Sequence, residues 1–257
     1  MTKNLLFTAS LLVCLFISWS AYSKDPERYF YQIKVCHFKS KVQEERIDKF
    51  LQDAYLPAMH RVGIKHLGVF KPISQDTSDQ TIYLFIPFRK LEHFHNSNRV
   101  LENDKQYQEN GKDYLNALYN DAPYTRIESI LLQAFSGMPQ AAVPNLTGPK
   151  SERFYELRSY ESATENYSLN KIKMFNVAEL SIFQKLNFNA VFYGQVISGS
   201  KMPNLMYMTT FNNKADRDKL WAAFSPEYSK IKSVPEYQNN VSKNVQVYLY
   251  PTDYSDF

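Results

Sequence analysis

The sequence predicts an α+β protein built as a tandem pair of ferredoxin-like β-α-β-β-α-β units. Three observations carry this. A strand-like stretch at Arg153-Phe154-Tyr155-Glu156-Leu157-Arg158-Ser159-Tyr160 has an earlier partner at residues 28–38, with Tyr31-Gln32-Ile33-Lys34 matching Tyr155-Glu156-Leu157-Arg158. The order of strand-period and helix-period segments is the same after each of them. The spacing between matching positions holds through the third strand, from Tyr31 and Tyr155 to Tyr83 and Tyr207.

In chain order, Lys3, the apolar run from Leu5 to Trp19 and Ala21-Tyr22-Ser23 have the layout of a secretory signal peptide over residues 1–23. The apolar run is shorter than the ~20 residues of a membrane span, so the expectation is cleavage, an exported chain in the periplasm or the medium, and no membrane span afterwards. Removing Lys3 leaves 29 of the 30 Lys and Arg against 26 Asp and Glu, a net charge of +3. That small surplus gives no argument for nucleic acid or an anionic membrane. Of two cysteines, Cys14 leaves with the leader. Cys36 alone makes no intrachain disulfide, so packing must hold the fold.

Tyr31, Ile33 and Val35 alternate with Gln32 and Lys34, the period of a half-buried strand. Val42, Ile47, Phe50, Leu51, Ala54 and Tyr55 then recur at helical spacing, with Pro57 expected to kink or divide the helix and Gly63 to end it. Ile64–Ile73 and Thr81–Phe88 read as strands, Leu91–Leu118 as helix broken near Asn110-Gly111, and Ile127–Phe135 as the fourth strand. This first unit spans residues 28–136. Residues 137–152, with Pro139, Pro144 and Pro149, read as a linker, and residues 153–257 as the second unit. There Phe154–Tyr160, Phe188–Ile197, Leu205–Phe211 and Val245–Tyr250 are strands, while Leu169 to Leu186 and Ala215 to Phe224 are helical. A lone four-stranded sheet leaves one face bare. Two in one chain cover each other, which predicts sheet-to-sheet packing as an intrachain dimeric α/β barrel with the helices outside.

At Arg61 to Phe70, Phe154 to Ser162, Met174-Phe175-Asn176 and Pro203 to Met208 the chain resembles the NIPSNAP family, over two tandem copies. Trp221, Phe224 and Pro226-Glu227 fall where that family has a tryptophan, a phenylalanine and an acid-Pro-Glu-Trp turn, but Ser225 and Tyr228 replace the acid and the tryptophan. The resemblance implies the dimeric α/β barrel and no agreed enzyme mechanism. The same architecture serves small monooxygenases and haem-handling proteins, an analogy of fold and not of site.

If Tyr31, Ile33 and Val35 face the helices, then Gln32, Lys34, Glu156 and Arg158 point into the barrel. Glu156 would pair there with Arg158 or with Lys34 across the pseudo-twofold. Those four, with Tyr83, Tyr160 and Tyr207 as donors, are the candidate pocket for a small anionic or carbonyl-bearing ligand; a structural ion pair is the plainer alternative. His37, His60, His66, His93 and His95 all lie in the first unit. On a helix His93 and His95 face different ways, so no metal site is expected, and His60 or His66 is the candidate axial ligand if haem is bound. Otherwise no cofactor is expected. Cys36 reads as a buried free thiol. With no catalytic signature, the sequence leaves two readings open. One is a module that binds a small molecule or a protein, with a homo-oligomer allowed. The other is a cofactor-independent or haem-dependent oxygenase or haem-handling enzyme acting in the barrel, with a first-unit histidine or the Lys34, Glu156 and Arg158 group as its site; an interior filled by large side chains such as Phe85 and Phe192 would sink it.

Overall fold

The computed structural model describes residues 26–257; the leader expected over residues 1–23 lies outside the described residues. The first half comprises β1 (Phe30–Phe38), α1 (Lys41–Phe50), α2 (Leu56–Arg61), β2 (Gly68–Pro72), β3 (Gln80–Phe88), α3 (Leu91–Glu102), α4 (Lys105–Asn110), α5 (Lys112–Leu115) and β4 (Arg126–Ala134). The second comprises β5 (Phe154–Glu161), α6 (Glu165–Met174), α7 (Leu180–Lys185), β6 (Asn189–Ser198), β7 (Asn204–Phe211), α8 (Lys214–Lys232) and β8 (Lys243–Pro251). Among these residues no helix is long and apolar enough to cross a membrane.

The local signals repeat. Ser40 and Thr164 cap α1 and α6 by accepting the N–H of Gln43 and Tyr167, satisfying an end group that would otherwise lack a partner. Each helix then runs through a π turn, Leu51–Tyr55 and Phe175–Glu179, into α2 and α7. The helical run is divided by that turn, and Pro57 sits just after it in the first turn of α2. Because the second half makes the same turn without a proline, the turn belongs to the repeat. Gly63, at φ +90°, ends the first helix.

Each half orders its strands alike, β4-β1-β3-β2 and β8-β5-β7-β6. The halves join edge to edge through antiparallel β2–β8 and β4–β6, which closes one eight-stranded barrel and leaves no strand edge unpaired. The dimeric α/β barrel is thus formed within one chain, with helices outside.

Inside the barrel stand Tyr31, Ile33, Val35, Phe70, Phe85, Tyr155, Leu157, Phe192 and Leu249. The expected facing of the strands is therefore reversed. Tyr31, Ile33 and Val35 point into the barrel, while Gln32, Lys34, Glu156 and Arg158 point toward the helices. Phe85 stacks on Phe192 with ring centroids 4.9 Å apart, and Phe70 meets Tyr155 at 4.8 Å. The centre is packed, which excludes an oxygenase site there.

Beneath α1 and α2 lies a second core with Cys36, Phe38, Ile47, Leu84 and Phe88. Burial pushes the Cys36 thiol up to about 11, so almost none of it is the nucleophilic thiolate at neutral pH. In a chain lacking Cys14, a disulfide reagent at pH 8 should label Cys36 roughly 100-fold more slowly before unfolding than after it, as read by thiolate release.

Candidate functional site

The polar counterpart of that second core is in the second half. Glu156, fully buried on β5, accepts from Arg158 Nε at 2.7 Å, Arg217 Nε at 2.9 Å and Trp221 Nε1 at 2.8 Å. Arg217 and Trp221 sit four apart on α8, one face of one helix, and Asn213 starts that helix by accepting the N–H of Asp216. The Arg158 guanidinium lies 3.7 Å over the Trp221 ring, a stacking suited to a desolvated arginine.

Arg158 Nη1 donates to Tyr160 Oη at 3.2 Å, and Tyr160 and Tyr207 share a hydroxyl hydrogen bond of 2.8 Å. Burial alone would lower the Arg158 pKa, but Tyr207, Tyr160 and Glu156 beside it hold it above the ordinary arginine value. Burial raises the Tyr207 hydroxyl well above the tyrosine range, so that phenol keeps its proton.

Deeper under the helices, Lys171 Nζ bonds the Glu179 carboxylate and lies 3.2 Å from Tyr228 Oη. Both charged groups are buried. In an uninterrupted α-helix residues eight apart stand about 80° apart around the axis. The extra residue taken up by the π turn at Phe175–Glu179 makes the spacing behave as about seven, close to two full turns. Burial raises the Glu179 carboxyl, with the Lys171 charge acting against it.

Of these groups Arg158, Tyr160 and Glu179 line a cleft of about 1020 Å³, also walled by Arg217, Trp221, Tyr228, Asn240 and Gln246. Arg158, Arg217 and Lys232 against Glu179 make its lining cationic. A guanidinium has five N–H groups, and Arg158 gives Nε and Nη2 to Glu156 and one Nη1 hydrogen to Tyr160. Donors therefore remain for a ligand.

Of the seven residues expected in a pocket, the structure unites four: Glu156, Arg158, Tyr160 and Tyr207. Arg158 and Tyr160 line the helix-side cleft, and Glu156 and Tyr207 are buried behind them, on the helix side of the sheet and not in the barrel. Gln32 donates to Ser129 Oγ at 2.7 Å, and Lys34 stands 5.0 Å over the Tyr55 ring without meeting Glu156. Tyr83 faces the barrel because β1 and β5 match at a spacing one residue longer than β3 and β7 do. Lys34 is paired with Leu84, whereas Arg158 is paired with Tyr207. A slip of one residue turns a strand side chain to the other face.

Among the described residues, the matching place in the first half is packed. Cys36, Ile47, Tyr55 and Leu84 occupy positions matching Tyr160, Lys171, Glu179 and Tyr207, and α4 and α5 bring Tyr107 and Tyr114 onto Phe50, Tyr114 stacking at 3.8 Å. Sequence reasoning missed Arg217, Lys171 and Glu179. The four-residue step from Arg217 to Trp221 was the available signal; nothing in the sequence marked the π turn.

The model of the NIPSNAP family matches residues 155–256, a span that contains every residue of the cleft. Residues 155–256 are a NIPSNAP domain. In this domain Ser225 and Tyr228, which depart from the family's expected acid and tryptophan, both line the cleft, and Pro226 lies inside α8 rather than in a turn. No curated protein sequence matches the chain. Among solved structures, a provisionally assigned monooxygenase from Fusobacterium nucleatum superposes with a TM-score of 0.60 at 8% identity, over 87% of this chain and 92% of that one. A second provisionally assigned monooxygenase, from Lactobacillus acidophilus, gives 0.51 at 12% identity over 88% and 94%. An anthrone oxidase-like protein gives 0.51 at 7% identity over 88% and 92%. At such identities the likeness is one of fold: the NIPSNAP domain and the half before it together build the barrel of these proteins.

Of the histidines, His60 Nε2 meets Asp256 at 2.8 Å and His37 Nδ1 meets Asp79 at 3.0 Å. His66 and His93 line a separate surface cleft of about 540 Å³. Among the described residues no group of three or more His, Cys, Asp or Glu side chains converges as a metal site.

Proposed function

We propose that this chain is an exported binding protein that takes a small anionic or carbonyl-bearing organic molecule into the cleft of its NIPSNAP domain. Export rests on the leader-like residues 1–23. The observation that carries the ligand reading is Arg158, a buried guanidinium fixed by Glu156 and Trp221 yet lining the cleft with donors to spare. Fixed, desolvated donors favour an oxyanion over water. The Tyr228 and Tyr160 hydroxyls line the cleft alongside, and the rings of Trp221 and Phe224 supply an apolar wall. Between a small molecule and a protein as occupant, the volume of the cleft, about 1020 Å³, favours the small molecule. The reading requires no cofactor.

Titration calorimetry with benzoate, phenylacetate and a 1,3-diketone tests it. At least one should bind, and Arg158→Lys should weaken that binding by about 10-fold or more, because an ammonium cannot reproduce the fork or its stacking. Unchanged affinity in Arg158→Lys would overturn the assignment.

A second reading is cofactor-independent oxygenation in the same cleft. It is favoured by the fold shared with monooxygenase-like proteins and by Glu179, a buried carboxyl with a raised pKa that lines the cleft and could accept a proton from an enol or phenol. Oxygen uptake with an anthrone-like substrate, lost in Glu179→Gln, is its expected result. A haem-dependent form would have no histidine of this domain as axial ligand, since all five histidines are in the first half. An absorbance scan for a Soret band tests that form.

A further inference from the structure

The packed centre of the barrel does not reach both of its mouths. At the mouth formed by the C-terminal ends of β1 and β5 the packing stops short, leaving a pocket of about 340 Å³, at the small end of the ~300–1,000 Å³ common for ligand sites. It is separate from the cleft, which lies on the opposite surface of the same sheet.

Its throat is apolar, lined by Val35, Tyr83, Ile130, Leu157, Met206 and Val247. Its rim is acidic: Asp76, Asp79, Glu128 and Glu161 line it, with Lys201 as the single lysine or arginine. Asp79 is engaged by His37 Nδ1 at 3.0 Å, and Glu128 Oε1 is 3.4 Å from His37 Nε2. Glu161 differs. It ends β5 with its side chain on the barrel side, directly across from Asn204, whose Oδ1 is already taken by Ser159 Oγ at 3.0 Å. Glu161 Oε1 is shut off from solvent and has no hydrogen-bond partner within the protein. A buried acceptor left without a donor is costly. Here it stands at the head of an apolar tube.

We infer that this pocket is a second binding site, for a small organic ammonium with an apolar body, the cation capping Glu161 and the body filling the throat above Phe85. An ammonium has three donors and no acceptor, which suits a rim that offers carboxylate oxygens. A carboxylate ligand would meet four acids, and a neutral isostere would fill the throat but leave the Glu161 charge uncompensated.

The test uses the full chain with 13C-methyl-labelled methionine and 2-phenylethylammonium, 2-phenylethanol and phenylacetate as probes. Met206 reports the throat, and Met174, buried behind the cleft against Lys171, reports the other site. The ammonium should shift the Met206 methyl saturably while Met174 stays in place, and it should bind about 10-fold or more tighter than 2-phenylethanol. Glu161→Gln should remove most of that preference. The comparison among probes on the unaltered protein stands even if that variant folds poorly. Absence of a saturable Met206 shift, equal affinity for ammonium and alcohol, or a shift at Met174 in place of Met206 would each overturn the inference.

Discussion

Replacing Glu156 with leucine is expected to cost about 3–5 kcal/mol of stability, the range seen when one partner of a buried ionic group is removed. Glu156 has no exposed surface and accepts from three side chains. Leucine fills the space but leaves the Arg158 guanidinium and the Trp221 N–H facing an apolar group, and each then carries its own desolvation cost. Glu156→Gln keeps one acceptor oxygen and should cost distinctly less. Urea unfolding followed by far-UV circular dichroism measures both, read as midpoints with the slope held constant. A loss below about 1 kcal/mol for leucine would show that the network is solvated and that the cleft is not preorganised.

The second large effect is expected at Lys171. Lys171→Met leaves Glu179 buried, with Arg158 as the remaining cation acting on it, and should also cost about 3–5 kcal/mol. The informative variant is the double one. Lys171→Met with Glu179→Leu replaces the pair by apolar groups of similar volume and should recover most of the loss, since buried ion pairs are often no more stabilising than their hydrophobic substitutes. The double-mutant cycle would then give a coupling energy of a few kcal/mol. Additive losses would mean that the two charges do not depend on each other. If the double variant recovers stability yet loses ligand binding, the pair is kept for the cleft and not for the fold.

How far the sequence could be read follows from the two kinds of face a strand has here. Alternation at Tyr31, Ile33 and Val35 was visible, and so were the repeat, the order of elements and the barrel. Which way those residues point was not, because both faces of β1 and β5 are covered, one by the barrel interior and one by helices. Cys36 and Phe38 on the helix side are as buried as Ile33 and Val35 on the barrel side. When both sides are apolar the period gives the spacing of a face but not its direction. The same ambiguity hid the one-residue difference between β3 and β7, which sent Tyr83 and Tyr207 to opposite sides although they match in the linear alignment. Glu156, Arg158, Tyr160 and Tyr207 could be grouped from strand spacing alone. Arg217 and the Lys171–Glu179 pair required tertiary contacts, since a π turn leaves no mark in composition.

The difference between the two halves beneath their helices bears on stoichiometry. A barrel assembled from two identical subunits must present every feature in duplicate, so filling one cleft would empty no other option and the pair could communicate. Joining the halves covalently frees each to drift: one has packed its helix-side space with Tyr107, Tyr114 and Phe50, and the other has kept that space open and charged. Occupancy of the open one is then a single event per polypeptide, with no twin to compete with it or cooperate.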